Sequence, residues 1–364
     1  MLGARTHVGL TVSRTRALLL VAYFALAWSL LTYFRVSLGV DVLIFVLLGA
    51  AVIVGRVRLF VRDWGAFLLV LVLWQHTQLI AKWGAFPLHM RDLISIDRAI
   101  AAPFLHGQLP QEWLQQHLYH PGYTTRTHYH DGYWRNHVYY HHPYWDHVYH
   151  PVQLQWYDVM SCLTYTMHFP LPLIVGFVLW VRNRALFGHF ATAFLTLAAI
   201  AFVIYVVYPA VPPWMASRRT YNGQTFAAIP ELHKIYDDFN YHVARILGQQ
   251  GKVLVKVDYN KTAAMPSLHA AFPLLSALYL RKSIGRWGWL MLGYGGMMWF
   301  AVVYMAEHWI VDIVVGLVCT VMAYTIVERV APYVARWAAA RRMVPARESV
   351  EAAELHGQAE PDWQ

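Results

Sequence analysis

The sequence predicts an all-α, polytopic membrane protein with about eight transmembrane helices. Three observations carry this reading. Of 364 residues, 58% are hydrophobic and 13% charged, where a soluble domain carries roughly 25% charged residues. The apolar residues gather in runs near the ~20 residues needed to cross a bilayer. The positive residues sit in short clusters between those runs, so the net charge of +9 suits membrane orientation better than nucleic-acid binding.

The runs fall at about 17–34, 36–55, 65–83, 159–181, 188–208, 265–280, 287–306 and 308–328. Several contain Gly or Pro, which membrane helices tolerate. Cys162 and Cys319 lie inside runs, which argues against a disulfide or a Cys-based metal site. Arginines and lysines precede the first run, separate the second from the third, the fourth from the fifth and the sixth from the seventh, and follow the eighth. With eight crossings these five clusters share one side, so both termini are expected to be cytoplasmic. A basic start, an apolar core and Ala25-Leu26-Ala27 also fit a cleavable signal peptide; cleavage there would leave the later orientation unchanged. The predicted organisation is N-terminal helices over 1–83, an extracytoplasmic region over 84–158, a helical catalytic unit over 159–328 and a polar, disordered cytoplasmic tail within 329–364.

Three polar islands then converge on the outer face. YMAEHWIVDIVVG (304–316) places His308 and Asp312 four apart, on one face of a helix. AAMPSLHAAF (263–272) places Ser267 and His269 at the start of the sixth helix. YPAVPPWMASRR (208–219) ends the fifth helix and delivers Arg218 and Arg219. Ionisable groups in a membrane segment are costly, and a plain anchor would omit them. A His held by an Asp is oriented and more basic, and so can attack as a nucleophile. A second His can protonate a leaving group. Basic residues and a helix N-terminus can hold an anion. Taken singly, His308 reads equally as an interfacial His with a buried Asp partner, Ser267 as a helix cap and the arginines as solvated charges. Together they point to phosphoryl transfer through a phosphohistidine, with no metal or other cofactor.

PSLH followed by HWIVD resembles the type 2 phosphatidic acid phosphatase superfamily. Within it, MPSLHAAF, YPAVPPW and EHWIVDIVVG resemble the branch of inositol phosphorylceramide synthases and related lipid phosphotransferases. The resemblance covers about 155–328 and extends weakly through IDRAIAAPFLHGQLPQEWLQ (96–115). It implies a six-helix bundle, with His308 as nucleophile, Asp312 orienting it, His269 protonating the leaving oxygen and Ser267 contacting phosphate. The chain departs from the broader pattern at Val302, where the phosphatases carry Arg, and at 212–214, where Pro-Pro-Trp stands near their Lys and Arg-Pro motif. That leaves Lys261, Arg218 and Arg219 as candidate phosphate-binding cations. Tyr208, Trp214 and His168 are candidate pocket residues, or an aromatic belt and a packed polar His.

Residues 106–150 hold ten of the twenty histidines, and 123–150 reads as an insertion rich in Tyr and Trp. Clustered imidazoles suggest a metal ion there; the alternative is an aromatic lid or a pH-sensitive loop. The expected function is a lipid phosphotransferase at the outer membrane face, with a phospholipid or isoprenyl-phosphate substrate and no nucleic acid. Its rivals are a lipid phosphate phosphatase, and a metal-binding or transport protein working through the His-rich loop. The high Arg-to-Lys ratio fits a bacterial plasma membrane.

Overall fold

A computed structural model of the chain describes residues 13–33, 40–75, 86–120, 123–135, 138–150, 153–168, 170–216, 220–221, 224–225, 229, 232–246 and 263–334. Lys261, Arg218 and Arg219 lie outside the described residues, as does the tail beyond 334.

The frame is helical. It begins with α1 (Arg14–Tyr33), α2 (Val40–Val54), α3 (Val57–Gln75), α4 (Arg91–Leu105) and α5 (Pro110–Leu118). It continues with α6 (Trp156–Thr166), α7 (Pro170–Arg182), α8 (Arg184–Val207), the single turn α9 (Pro213–Ala216) and α10 (Ile235–Ile246). It closes with α11 (Leu268–Ile284), α12 (Leu290–Tyr304) and α13 (Ile310–Thr325). Within the described residues the apolar runs coincide with helices, but fewer than eight of these are long and apolar enough to span. Among the described residues, Arg14–Leu31, Arg184–Val207 and Ile310–Val334 meet both conditions. A bent pair, α6 and α7, makes a fourth if it counts as one span.

That pair occupies the run expected to be one helix, and it bends by 56°. The cause is local. Pro170 and Pro172 open α7 and cannot donate to the preceding turn, and a residue before proline avoids the helical region. The bend leaves His168 in the break. By contrast α8 is a continuous 24-residue helix, started by Asn183, whose side chain accepts from the Leu186 N–H at 3.1 Å.

The insertion adds what the all-α reading did not assign. Tyr123–Arg135 (β1) and Val138–His150 (β2) form an antiparallel hairpin, from Tyr123 opposite His150 to Arg135 opposite Val138. Its Tyr, Thr, Trp and Val content favours strands. The side chains of this hairpin lie outside the described residues, and the suggested metal site lies outside with them. A second, two-residue pair joins Thr220–Tyr221 (β3) to Gln224–Thr225 (β4).

At the bundle end away from the histidines, α3 docks through aromatic packing. Trp64 stacks on Phe187 at 4.7 Å between ring centroids, and Phe67 meets Phe194 edge-on at 5.0 Å. Asp63 accepts from the Trp180 indole at 2.9 Å and from Arg184. Between helices in lipid, packing and hydrogen bonds rather than burial from water hold such contacts, and an aromatic pair adds about 0.5–1.5 kcal/mol.

Candidate active site

The site forms where α11 and α13 begin. Ser267 caps α11, its Oγ accepting from the Ala270 N–H at 3.3 Å. Its backbone N–H donates to the Asp312 carbonyl at 2.9 Å. Gly316, one turn further along α13, makes this approach possible: a Cβ there would sit 2.4 Å from the Ser267 carbonyl oxygen. Thr320 repeats the tie one turn deeper, donating to the Ala271 carbonyl at 3.4 Å. Two segments some forty residues apart are thereby held in one register.

This places three ionisable side chains in line. His308 Nδ1 lies 3.3 Å from Asp312 Oδ2, and His308 Nε2 lies 3.0 Å from His269 Nδ1. If His308 Nδ1 donates to the carboxylate, its Nε2 carries the lone pair and accepts from His269. His308 is buried, Asp312 is fully enclosed, and His269 is partly buried. His269 is stacked on both faces, against Tyr165 at 4.5 Å and His168 at 3.8 Å between centroids. His168 therefore joins the histidine pair as a packed wall rather than as a separate site.

The main chain around His308 is equally fixed. Ala306 takes φ 57°, a left-handed conformation uncommon for a residue with a Cβ. The N–H groups of Glu307 and His308 both donate to the Val302 carbonyl, at 2.9 and 3.1 Å. The position that carries Arg in the phosphatases thus serves here as a backbone acceptor. Gln111 Nε2 donates to the His308 carbonyl at 3.1 Å. Gln111 also donates to Asp97 Oδ2 at 3.1 Å, and Asp97 accepts from the Ile310 and Val311 N–H groups at 2.8 and 3.1 Å. Burial pushes the Asp97 carboxyl up to about 6, against the pull of these hydrogen bonds. Gln115 pins a third segment, donating to the carbonyls of His233 and Tyr304 at 2.9 and 3.0 Å.

Trp214 is buried, and its backbone N–H donates to the Ala306 carbonyl at 3.0 Å. Lys234 lies over its ring at 4.7 Å and pairs with Asp237 at 3.0 Å. Glu307 is buried beside them; burial pushes its carboxyl up to about 8, with Lys234 opposing. Tyr208 stands at the end of α8, stacked on His89 at 3.6 Å, and both hydrogen-bond Asp92.

Of the residues singled out from sequence, His308, Asp312, His269, Ser267 and His168 come together. Trp214 adjoins them through Ala306. Tyr208 belongs to a neighbouring His89–Asp92 cluster. Asp97, Gln111, Gln115, Glu307 and Lys234 were missed. The first three sit in the 96–115 stretch already noted for its weak resemblance, as isolated polar residues that the structure buries.

A family model described as the PAP2 superfamily matches residues 144–326, half of the chain. The chain belongs to the PAP2 superfamily. Among curated proteins it is 26% identical over 179 residues to the phosphoinositol dihydroceramide synthase of Bacteroides thetaiotaomicron, covering 47% of this chain and 55% of that protein. It is 22% identical over 178 residues to the inositol phosphorylceramide synthase catalytic subunit of Schizosaccharomyces pombe, covering 47% of this chain and 40% of that protein. It is 25% identical over 183 residues to the inositol phosphorylceramide synthase of Candida albicans, covering 46% of this chain and 36% of that protein. The matches span between about a third and just over half of these relatives' lengths. No solved structure matches the chain.

Proposed function

We propose that the protein is a membrane lipid phosphotransferase working through a phosphohistidine. The observation that carries this is the continuous line from Asp312 through His308 to His269. In the first step His308 Nε2 attacks the donor phosphorus. An N–P bond forms, the P–O bond to the departing group breaks, and His269 gives that oxygen a proton. In the second step the acceptor hydroxyl returns a proton to His269 as its oxygen bonds phosphorus and the N–P bond breaks. Asp312 holds the Nδ1 proton throughout and stabilises the positive ring. Phosphate would enter by replacing the direct His269–His308 contact, which leaves the proton of His269 facing the departing oxygen.

The names of the relatives suggest a phosphoinositol head group moved onto a ceramide-type alcohol, and this is the donor–acceptor pair to try first. The phosphate-binding cations are proposed among Lys261, Arg218 and Arg219. The expected setting is the outer face of a bacterial plasma membrane, with both termini cytoplasmic. The 84–158 region would lie outside the membrane and 159–328 would carry the catalysis. The test is turnover by purified protein in detergent, using phospholipid and isoprenyl-phosphate donors with and without ceramide or polyol acceptors. Acceptor-dependent product that His308→Ala loses supports transfer. Acceptor-independent phosphate release lost in the same variant makes the enzyme a phosphatase. Activity that survives His308→Ala rejects the mechanism.

A further inference from the structure

The first turn of α13 presents backbone donors that no preceding helical turn can satisfy. Three of the donors at this helix start find side-chain carboxylates. Trp309 N–H donates to Asp312 Oδ2 at 2.9 Å, Ile310 N–H to Asp97 Oδ2 at 2.8 Å and Val311 N–H to Asp97 Oδ1 at 3.1 Å. Asp97 reaches this turn from α4, more than two hundred positions earlier in the chain, and is wholly buried. The Gln111 amide nitrogen carries two N–H groups, so it can serve Asp97 Oδ2 and the His308 carbonyl at once, both at 3.1 Å. One side chain of α5 thereby ties Asp97 to the main chain of His308.

We propose that Asp97 is a positioning residue for phosphoryl transfer: it takes up helix donors that would otherwise draw Asp312 away from His308. Asp312 Oδ2 already serves the Trp309 N–H, and its contact to His308 Nδ1 is the longer one at 3.3 Å. A carboxylate at the third helical position turns readily toward its own helix start. If Asp97 is removed, the partly buried Ile310 and Val311 N–H groups lose their acceptor, and Asp312 is the acidic side chain of that same turn. Its rotation onto them would release the His308 ring. Two carboxylates at one helix start also suit the positive end of the helix dipole. Asp97 and Gln111 lie outside the matched residues 144–326, so α4 and α5 complete a site that the matched segment alone leaves unsupported. The inference rests on the phosphotransfer reading above.

The test compares Asp97→Ala, Asp97→Asn and Gln111→Ala with the unchanged protein. Steady-state kinetics use labelled phosphatidylinositol and ceramide, and thermal unfolding is recorded alongside. In Asp97→Ala, kcat should fall about 10- to 100-fold, the scale of a small misplacement of a catalytic group. KM should stay within about twofold, because ground-state binding is not touched. Asp97→Asn keeps one carbonyl acceptor and should recover part of kcat. Gln111→Ala should show the same split more mildly, and these two variants carry the test if Asp97→Ala does not fold. A kcat unchanged in all three overturns the proposal, as does a kcat loss that only tracks lost thermal stability. A readout independent of turnover is the rate at which diethyl pyrocarbonate modifies His308, followed by mass spectrometry. It should drop in Asp97→Ala. If the unchanged protein turns over no donor yet His308 modification still slows in the variant, the reaction assignment fails and the positioning role stands. If modification is unaffected, the positioning role fails.

Discussion

Ser267 donates its backbone N–H to the carbonyl of Asp312 at 2.9 Å. This bond helps join the segment carrying His269 to the segment carrying His308, and Gly316 lets the two backbones meet there. Gly316→Ala should force the Ser267 carbonyl away from a Cβ placed at 2.4 Å and separate the two histidines. We expect transfer activity to fall about 100-fold, the scale of a misplacement near 1 Å. Kinetics of the purified variant check this, and activity within twofold of normal would show that the contact can relax harmlessly.

The two histidines should separate chemically. His308→Ala should remove all phosphoenzyme and reduce turnover by at least about a thousand-fold. His269→Ala should slow lipid donors about 100- to 10,000-fold, the usual contribution of a general acid. It should still form phosphoenzyme from a nitrophenyl phosphodiester, whose leaving group needs no proton. Labelled-donor trapping in acid-free gels distinguishes the cases; equal loss with both donors would remove His269 from the acid role.

Glu307 should make folding stability depend on pH. Its carboxyl is raised from 4.5 to about 8, chiefly by burial. Between those values the folded protein holds a proton that the unfolded chain does not. Its stabilising contribution is therefore fully present below 4.5 and is lost as pH rises through about 8, at a slope of up to about 1.4 kcal/mol per pH unit. Thermal unfolding in detergent from pH 5 to 9 should show a falling midpoint, and Glu307→Gln should flatten it. An unchanged profile in the variant would place the titration elsewhere.

The hairpin should be separable from the chemistry. Tyr123 pairs with His150 at its base, and the Gln153 N–H reaches the His120 carbonyl at 3.3 Å, so the chain ends flanking 123–150 lie close together. Replacing 123–150 by a short Gly-Ser linker should leave donor cleavage intact. Cleavage abolished by the deletion, together with activity that survives His308→Ala, would favour the metal-binding or transport reading. If the hairpin shields the intermediate from water, the deletion should raise hydrolysis relative to transfer.

The N-terminal helices should matter for stability rather than chemistry. Asp63→Ala removes the acceptor shared by the Trp180 indole and Arg184. Arg184 is nearly half exposed, so the ion pair itself contributes little. The unpaired indole costs about 1–3 kcal/mol. The unfolding midpoint in detergent should fall by a few degrees, with KM for the donor unchanged; a midpoint equal to that of the unchanged protein would mean the indole finds water.

The trio proposed for catalysis, which the structure brings together, was legible in the sequence as a local pattern. His308 and Asp312 share a helix face by spacing alone, and Ser267 announces a helix start two residues before His269. The membrane class was legible because a bilayer sets the length and composition of what crosses it. Span counting was less secure. Prolines at 170 and 172 turned one apolar run into two bent helices, and hydropathy does not register a broken backbone. The hairpin escaped the helical reading because a Tyr- and His-rich insertion lacks the aliphatic pattern that sequence periodicity uses.

Other features belong only to the folded chain. No spacing rule connects Asp97 to Ile310, or Gln111 to the carbonyl of His308. Those bonds arise because α13 begins in a buried place where each N–H needs an acceptor, and α4 and α5 are the elements packed there. The stacking of His269 between Tyr165 and His168 likewise depends on the bend between α6 and α7. The sequence determined which groups could carry out the chemistry, since reactivity resides in residue type and short spacing. Tertiary structure decided which groups hold them in place, since a buried polar atom is satisfied by whatever the fold brings beside it.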